Sequence, residues 1–119
     1  MLTKKTPETI KGDLNFKAQG VEKNLLLTYH NRTADEYEAY TTNPENLVVP
    51  DTVTTQIDTF MHVNVSLALF IVKSFDDGTE DAFPVTRDGL VDLERTWPGT
   101  LYCIISGYHK ARAATIEKN

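Results

Sequence analysis

Asp51-Thr-Val-Thr-Thr-Gln-Ile-Asp-Thr-Phe-Met-His-Val-Asn-Val-Ser-Leu-Ala-Leu-Phe-Ile-Val-Lys-Ser-Phe75 is the stretch whose reading decides the fold. At helical spacing Val53, Ile57, Phe60, Met61, Leu67, Ala68, Ile71, Val72 and Phe75 form one broad apolar stripe, as a buried central helix requires. At period two, Val63, Val65, Leu67, Leu69 and Ile71 also alternate, and the segment is rich in β-branched residues, which suit strands. Length arbitrates, because a strand of about 20 residues would be an outlier. The expectation is therefore a long central helix over 51–75, capped by Asp51.

Toward the N-terminus, residues 1–9 are polar, contain Pro7 and are expected to form a flexible arm. From Ile10 the texture changes. Ile10, Leu14 and Phe16 interleave with Lys11, Asp13, Asn15 and Lys17, and Leu25 to Tyr29 is a second apolar run. Two such runs around the Gly20-containing segment 19–24 predict a β-hairpin over 10–30. A hairpin alone is marginal in water, so it must lie on other elements. Thr33 followed by Glu36 has the capping-box spacing and opens a short helix over 33–42, with Tyr37 and Tyr40 on one face. Asn43-Pro44 ends it, since the residue before a proline disfavours helix.

Toward the C-terminus, Thr86 caps a helix over 86–97 in which Leu90, Leu93 and Trp97 share a face. Pro98 is expected in the first turn of a final helix over 98–117, carrying Leu101, Ile104, Ile105 and Tyr108. Lys110, Arg112 and Lys118 lie toward its end, where cations complement the helix dipole. Gly107 sits inside this helix at a cost of up to about 1 kcal/mol relative to alanine. Either close packing or a hinge would account for it. The expected class is α+β, mostly α: an N-terminal β-hairpin followed by about four helices packed as a small bundle, one globular domain over 10–119.

The 119 residues, 40% hydrophobic and 24% charged, fit one ordinary globular core. A net charge of −5 with scattered lysines and arginines argues against nucleic acid as a partner. Leu67 to Val72 is the longest apolar run, far short of the ~20 residues of a membrane span. No apolar stretch follows Lys4-Lys5, so no signal peptide is read. The expected setting is the cytoplasm, without a membrane partner.

Tests for chemistry fail in turn. His30, His62 and His109 lie far apart, and the single Cys103, among Leu101, Ile104 and Ile105, reads as a buried thiol. Asp76-Asp-Gly-Thr-Glu-Asp81 has its glycine third, where a calcium loop needs it sixth. It reads as a solvated turn. The glycines are dispersed, with no phosphate-binding loop. Cys103 and His109 fall on different faces of a helix. No catalytic, metal or cofactor residue is assigned, and no enzyme activity is expected.

The order of these pieces carries a resemblance. Asn31-Arg-Thr-Ala-Asp-Glu36, the long apolar helix closing on Ser74-Phe-Asp-Asp-Gly78, Thr86 to Leu93, Trp97-Pro98-Gly99, and Ile105 with Tyr108 follow one another. The series, roughly residues 12 to 112, resembles the small tail assembly chaperones of long-tailed bacteriophages and prophages. The resemblance implies a non-enzymatic protein of the bacterial host cytoplasm that binds the tape-measure protein and helps recruit tail-tube subunits. It also implies a second, longer form made by frameshifting near the end of the reading frame, here Ile116-Glu-Lys-Asn119. A helical partner would be held in a groove by anchors at i, i+3 and i+7. Tyr37, Tyr40, Tyr102 and Tyr108 are the residues expected to border that groove, and self-association through it is a corollary. The other reading is a structural virion component, a tail-tube or head–tail joining protein, built on a sheet that includes a strand-like 62–72 segment.

Overall fold

Gln19 and Gly20 both take positive φ, 52° and 76°, the backbone of a type I′ turn, whose twist matches that of the strands it joins. In the computed structural model, which describes residues 2–76, 78 and 83–116, this turn connects β1 (Thr9–Ala18) to β2 (Val21–His30). The two strands pair antiparallel without interruption from Ala18↔Val21 to Thr9↔His30. The second strand thus begins at Val21, inside the stretch read as turn. Alternation sorts the faces: Leu25, Leu27 and Tyr29 are buried, while Lys11, Asp13, Asn15 and Lys17 are exposed. Gly12 is needed opposite Leu27 because a Cβ there would lie 2.7 Å from the Tyr29 ring.

The long central helix is corrected at both ends. Helix α2 spans Gln56–Ile71, capped by Thr55, whose Oγ1 accepts from the Asp58 N–H at 3.1 Å. Asp51 and Val53 lie before it. At its other end the chain passes directly into strand β3 (Val72–Asp76), with Val72 already extended at φ −92°, ψ 124°. β3 pairs antiparallel with β2, Phe75 opposite Leu27 and Ser74 opposite Thr28, with a bulge at Thr28/Tyr29. Of the two periodicities only the helical one is realised, since Val63, Val65, Leu67, Leu69 and Ile71 all lie in α2. The helical one governs where the apolar face packs on α3 and α4, and the last five residues give their backbone to the sheet.

Helix α1 spans Ala34–Thr42 and has the capping box expected of Thr33 and Glu36. Helices α3 (Arg87–Thr96) and α4 (Thr100–Arg112) meet at Gly99, whose φ of 95° is a left-handed value that suits glycine. Pro98 precedes the N-cap here rather than occupying the first helical turn. Gly99 offers no side-chain cap; Glu94 from the preceding helix replaces it, accepting from the N–H groups of Gly99 (2.6 Å) and Leu101 (2.9 Å).

The bundle is thus overturned. A three-stranded antiparallel sheet, order β1-β2-β3, is covered on one face by helices, and the described residues are 46% helix and 23% strand. The core lies between the layers: Leu25, Leu27 and Tyr29 from the sheet meet Val65, Ala68, Ile71, Leu90, Leu101, Ile104 and Tyr108. α4 packs mainly on β1, and Gly107 marks their closest approach, where an added Cβ would collide with Leu14 and lie 3.0 Å from the Tyr29 hydroxyl. Expectations placed on Asp77, on residues 79–82 of the acidic turn and on the last three residues, Lys118 included, lie outside the described range.

Candidate functional site

The four tyrosines do not share a groove. Tyr108 is fully buried, edge-on to Tyr29 with ring centroids 5.3 Å apart. Its hydroxyl accepts from the Arg32 N–H at 3.1 Å. Tyr37 is half-buried, stacked on Tyr108 at 6.2 Å and edge-on to His109 at 5.4 Å. Tyr40, also half-buried, lies parallel to Phe70 at 3.9 Å, and its hydroxyl reaches the Ser66 carbonyl at 3.0 Å. The Arg32 guanidinium covers Phe70 at 4.3 Å, and its Nε donates to the Phe70 carbonyl at 3.0 Å, occupying one of the carbonyls that the end of α2 leaves free. Burial pushes the phenols of Tyr29, Tyr37 and Tyr40 above their ordinary value. These aromatic residues form a structural cluster that ties α1 to the C-terminal ends of α2 and α4.

Tyr102 stands apart, 72% exposed on α4. It borders a groove of about 550 Å³ between α2 and α4, together with Phe60, Asn64, Ile105, His109 and Lys110. Phe60 is 66% exposed and Ile57, one turn earlier on α2, 83%. Large apolar side chains scattered singly over a surface are ordinary, but two facing one another across a groove are not. The side chains buried along α2 are Met61, His62, Val65, Ser66, Ala68 and Ile71. That face leaves Phe60 to the side of the core, and the core does not reach the first turn, where Ile57 sits.

On the sequence Ile57 and Phe60 belong to the apolar stripe of the central helix, and Phe60 is among the large apolar residues in excess of what one small core needs, but neither is expected at the groove. The available signal was excess: the apolar stripe of this helix was too wide for a single buried face. Among the described residues the lining groups of this groove that can carry a cationic charge are His109 and Lys110, both toward the C-terminal end of α4. Cys103 is half-buried rather than enclosed, and burial together with the Glu94 charge raises its thiol pKa. His62 is buried with Nδ1 unpartnered among the described residues. No group of three or more His, Cys, Asp or Glu side chains among those residues is placed to hold a metal ion, and none of their helices is long and apolar enough to cross a membrane.

No protein-family model matches the chain, and no curated protein or solved structure is found similar to it.

Proposed function

We propose that this protein is a non-enzymatic assembly chaperone or adaptor for phage tails, working in the bacterial host cytoplasm. It holds an amphipathic helix of the tape-measure protein in the α2–α4 groove and helps recruit tail-tube subunits. The resemblance supplies the partners. The observation that carries the mode of binding is the pair Phe60 and Tyr102, each about two-thirds or more exposed and facing a common groove. A helix laid there would place apolar anchors at i, i+3 and i+7 over Phe60, Tyr102 and Ile105, excluding water from all three. The cost of leaving these rings in water is thereby returned on binding. The alternative, a structural virion component, drew on a strand at 62–72; that segment lies in α2 up to Ile71, and no observation favours it.

Co-expression with the tape-measure protein tests the reading. The wild-type chain should co-purify with it. Phe60→Ser and Tyr102→Ser should each weaken the complex about 30-fold, the effect of losing a buried aromatic anchor worth about 2 kcal/mol. Complex formation indifferent to both substitutions, or no complex at all, refutes the assignment.

A further inference from the structure

β1 forms one edge of the sheet, and no strand among the described residues pairs with its outer side. Ala18 and Val21, which flank the two-residue turn, make a hydrogen-bonded pair, so the bonded positions of β1 are the even ones back to Ile10. The backbone N–H and C=O groups of Lys11, Asp13, Asn15 and Lys17 point away from β2, and no described residue bonds to them. Proteins usually blunt such edges with a proline, a bulge, a short strand or charged side chains, and of these β1 has only the charges Lys11, Asp13 and Lys17. β1 has ten residues, no proline and an unbroken register with β2.

A groove of about 380 Å³ runs along this edge. Asp13 and Asn15 project to the solvent face and Leu14 and Phe16 to the helical face, yet all four line it. A groove lined from both faces of one strand lies against that strand's edge rather than over either face. Its far wall is α4, through Tyr102 and Lys110. The helical layer thus extends under the space that one more strand would fill.

The geometry points to β1 as a docking strand for an extended segment of a partner protein. The segment pairs antiparallel with residues 11–17 and turns apolar residues at alternate positions toward α4. On the solvent face it carries charges complementary to Lys11, Asp13 and Lys17: acidic, basic and acidic. Its backbone would pair with the outward row of N–H and C=O groups in place of water. A second copy of this protein does not fit. Its own α4 covers the same face of its β1, and strands about 4.8 Å apart leave no room for two helices that need about 8–10 Å.

The probe is a terminally capped heptapeptide, Glu-Val-Thr-Val-Lys-Val-Glu, against its charge-reversed counterpart, Lys-Val-Thr-Val-Glu-Val-Lys. Residue-resolved amide exchange on the full chain reads the result. Near saturation the first peptide should slow exchange about tenfold at Lys11, Asp13, Asn15 and Lys17, leaving the already bonded even-numbered amides unchanged. The second peptide should not. Asn15→Pro removes one outward N–H while keeping every backbone β1–β2 bond, at the loss of the side-chain bond from Asn24 (2.9 Å), and should abolish the slowing. Should that variant fail to fold, Asp13→Lys should move the preference to a peptide with Glu in place of its Lys. Phe60→Ser should leave the effect intact, which separates this site from the helix-binding groove. No slowing, equal slowing by both peptides, or slowing that grows with protein concentration without peptide would each overturn the proposal.

Discussion

Gly107→Ala puts the packing of α4 on the sheet to a test whose sign is informative. In an exposed helix interior this change stabilises by up to about 1 kcal/mol, because alanine loses less backbone entropy on folding. A hinge at Gly107 predicts that gain. In this structure the new methyl group would collide with Leu14 and lie 3.0 Å from the hydroxyl of Tyr29. Leu14 is the nearer contact, and its side chain, packed against the core, can rotate away only by giving up part of that packing. Tyr29 cannot yield so easily, being fully buried and donating to the Ile104 carbonyl at 2.8 Å. Overpacking of this kind costs about 1–3 kcal/mol, and straining the buried hydrogen bond adds up to about 1 kcal/mol. The penalty exceeds the helical gain, leaving a net loss of about 1 kcal/mol, or about 4 °C in Tm for a chain of this size. Urea unfolding followed through Trp97, the single tryptophan, measures it. Adding Leu14→Ala should relieve the clash, so the double variant should be less destabilised than the two single effects summed, by about 1 kcal/mol. A stabilised Gly107→Ala, or strict additivity with Leu14→Ala, would refute the close-packing account.

Two further outcomes are expected from the same fold. The raised pKa of Tyr29 reflects a phenol buried in its neutral form. The unfolded chain ionises near the ordinary value of 10.0 while the folded one does not, so this stability is complete below that pH and is lost as pH rises past it. Alkaline titration should unfold the protein cooperatively above about pH 10, and Tyr29→Phe, costing about 1 kcal/mol at neutral pH, should move the alkaline midpoint upward; an unchanged midpoint would count against Tyr29 as the group responsible. Thr33→Ala removes the side chain that accepts from the Glu36 N–H at 3.1 Å and should cost about 1 kcal/mol in urea denaturation. Thr33→Ser should restore most of it, and equal losses in both variants would contradict the capping role.

The sequence by itself determined the local events: the hairpin, the capping box at Thr33, the start of α3 after Thr86, and the break between α3 and α4 at Pro98-Gly99. Each is set by short-range chemistry, namely alternation, a hydroxyl three residues from the N–H it accepts from, or a backbone angle that glycine tolerates. Only tertiary structure decided where α2 stops. No glycine or proline marks Ile71-Val72, and the change from helix to strand there occurs because β2 presents an edge that Val72–Asp76 can pair with. The same is true of the candidate site. Tyr37, Tyr40 and Tyr102 look alike as aromatic residues on short helices, but two of them lie against Tyr108 and Phe70 while the third meets solvent. A residue's spacing fixes the side of its helix, but what that side faces depends on elements distant in the chain.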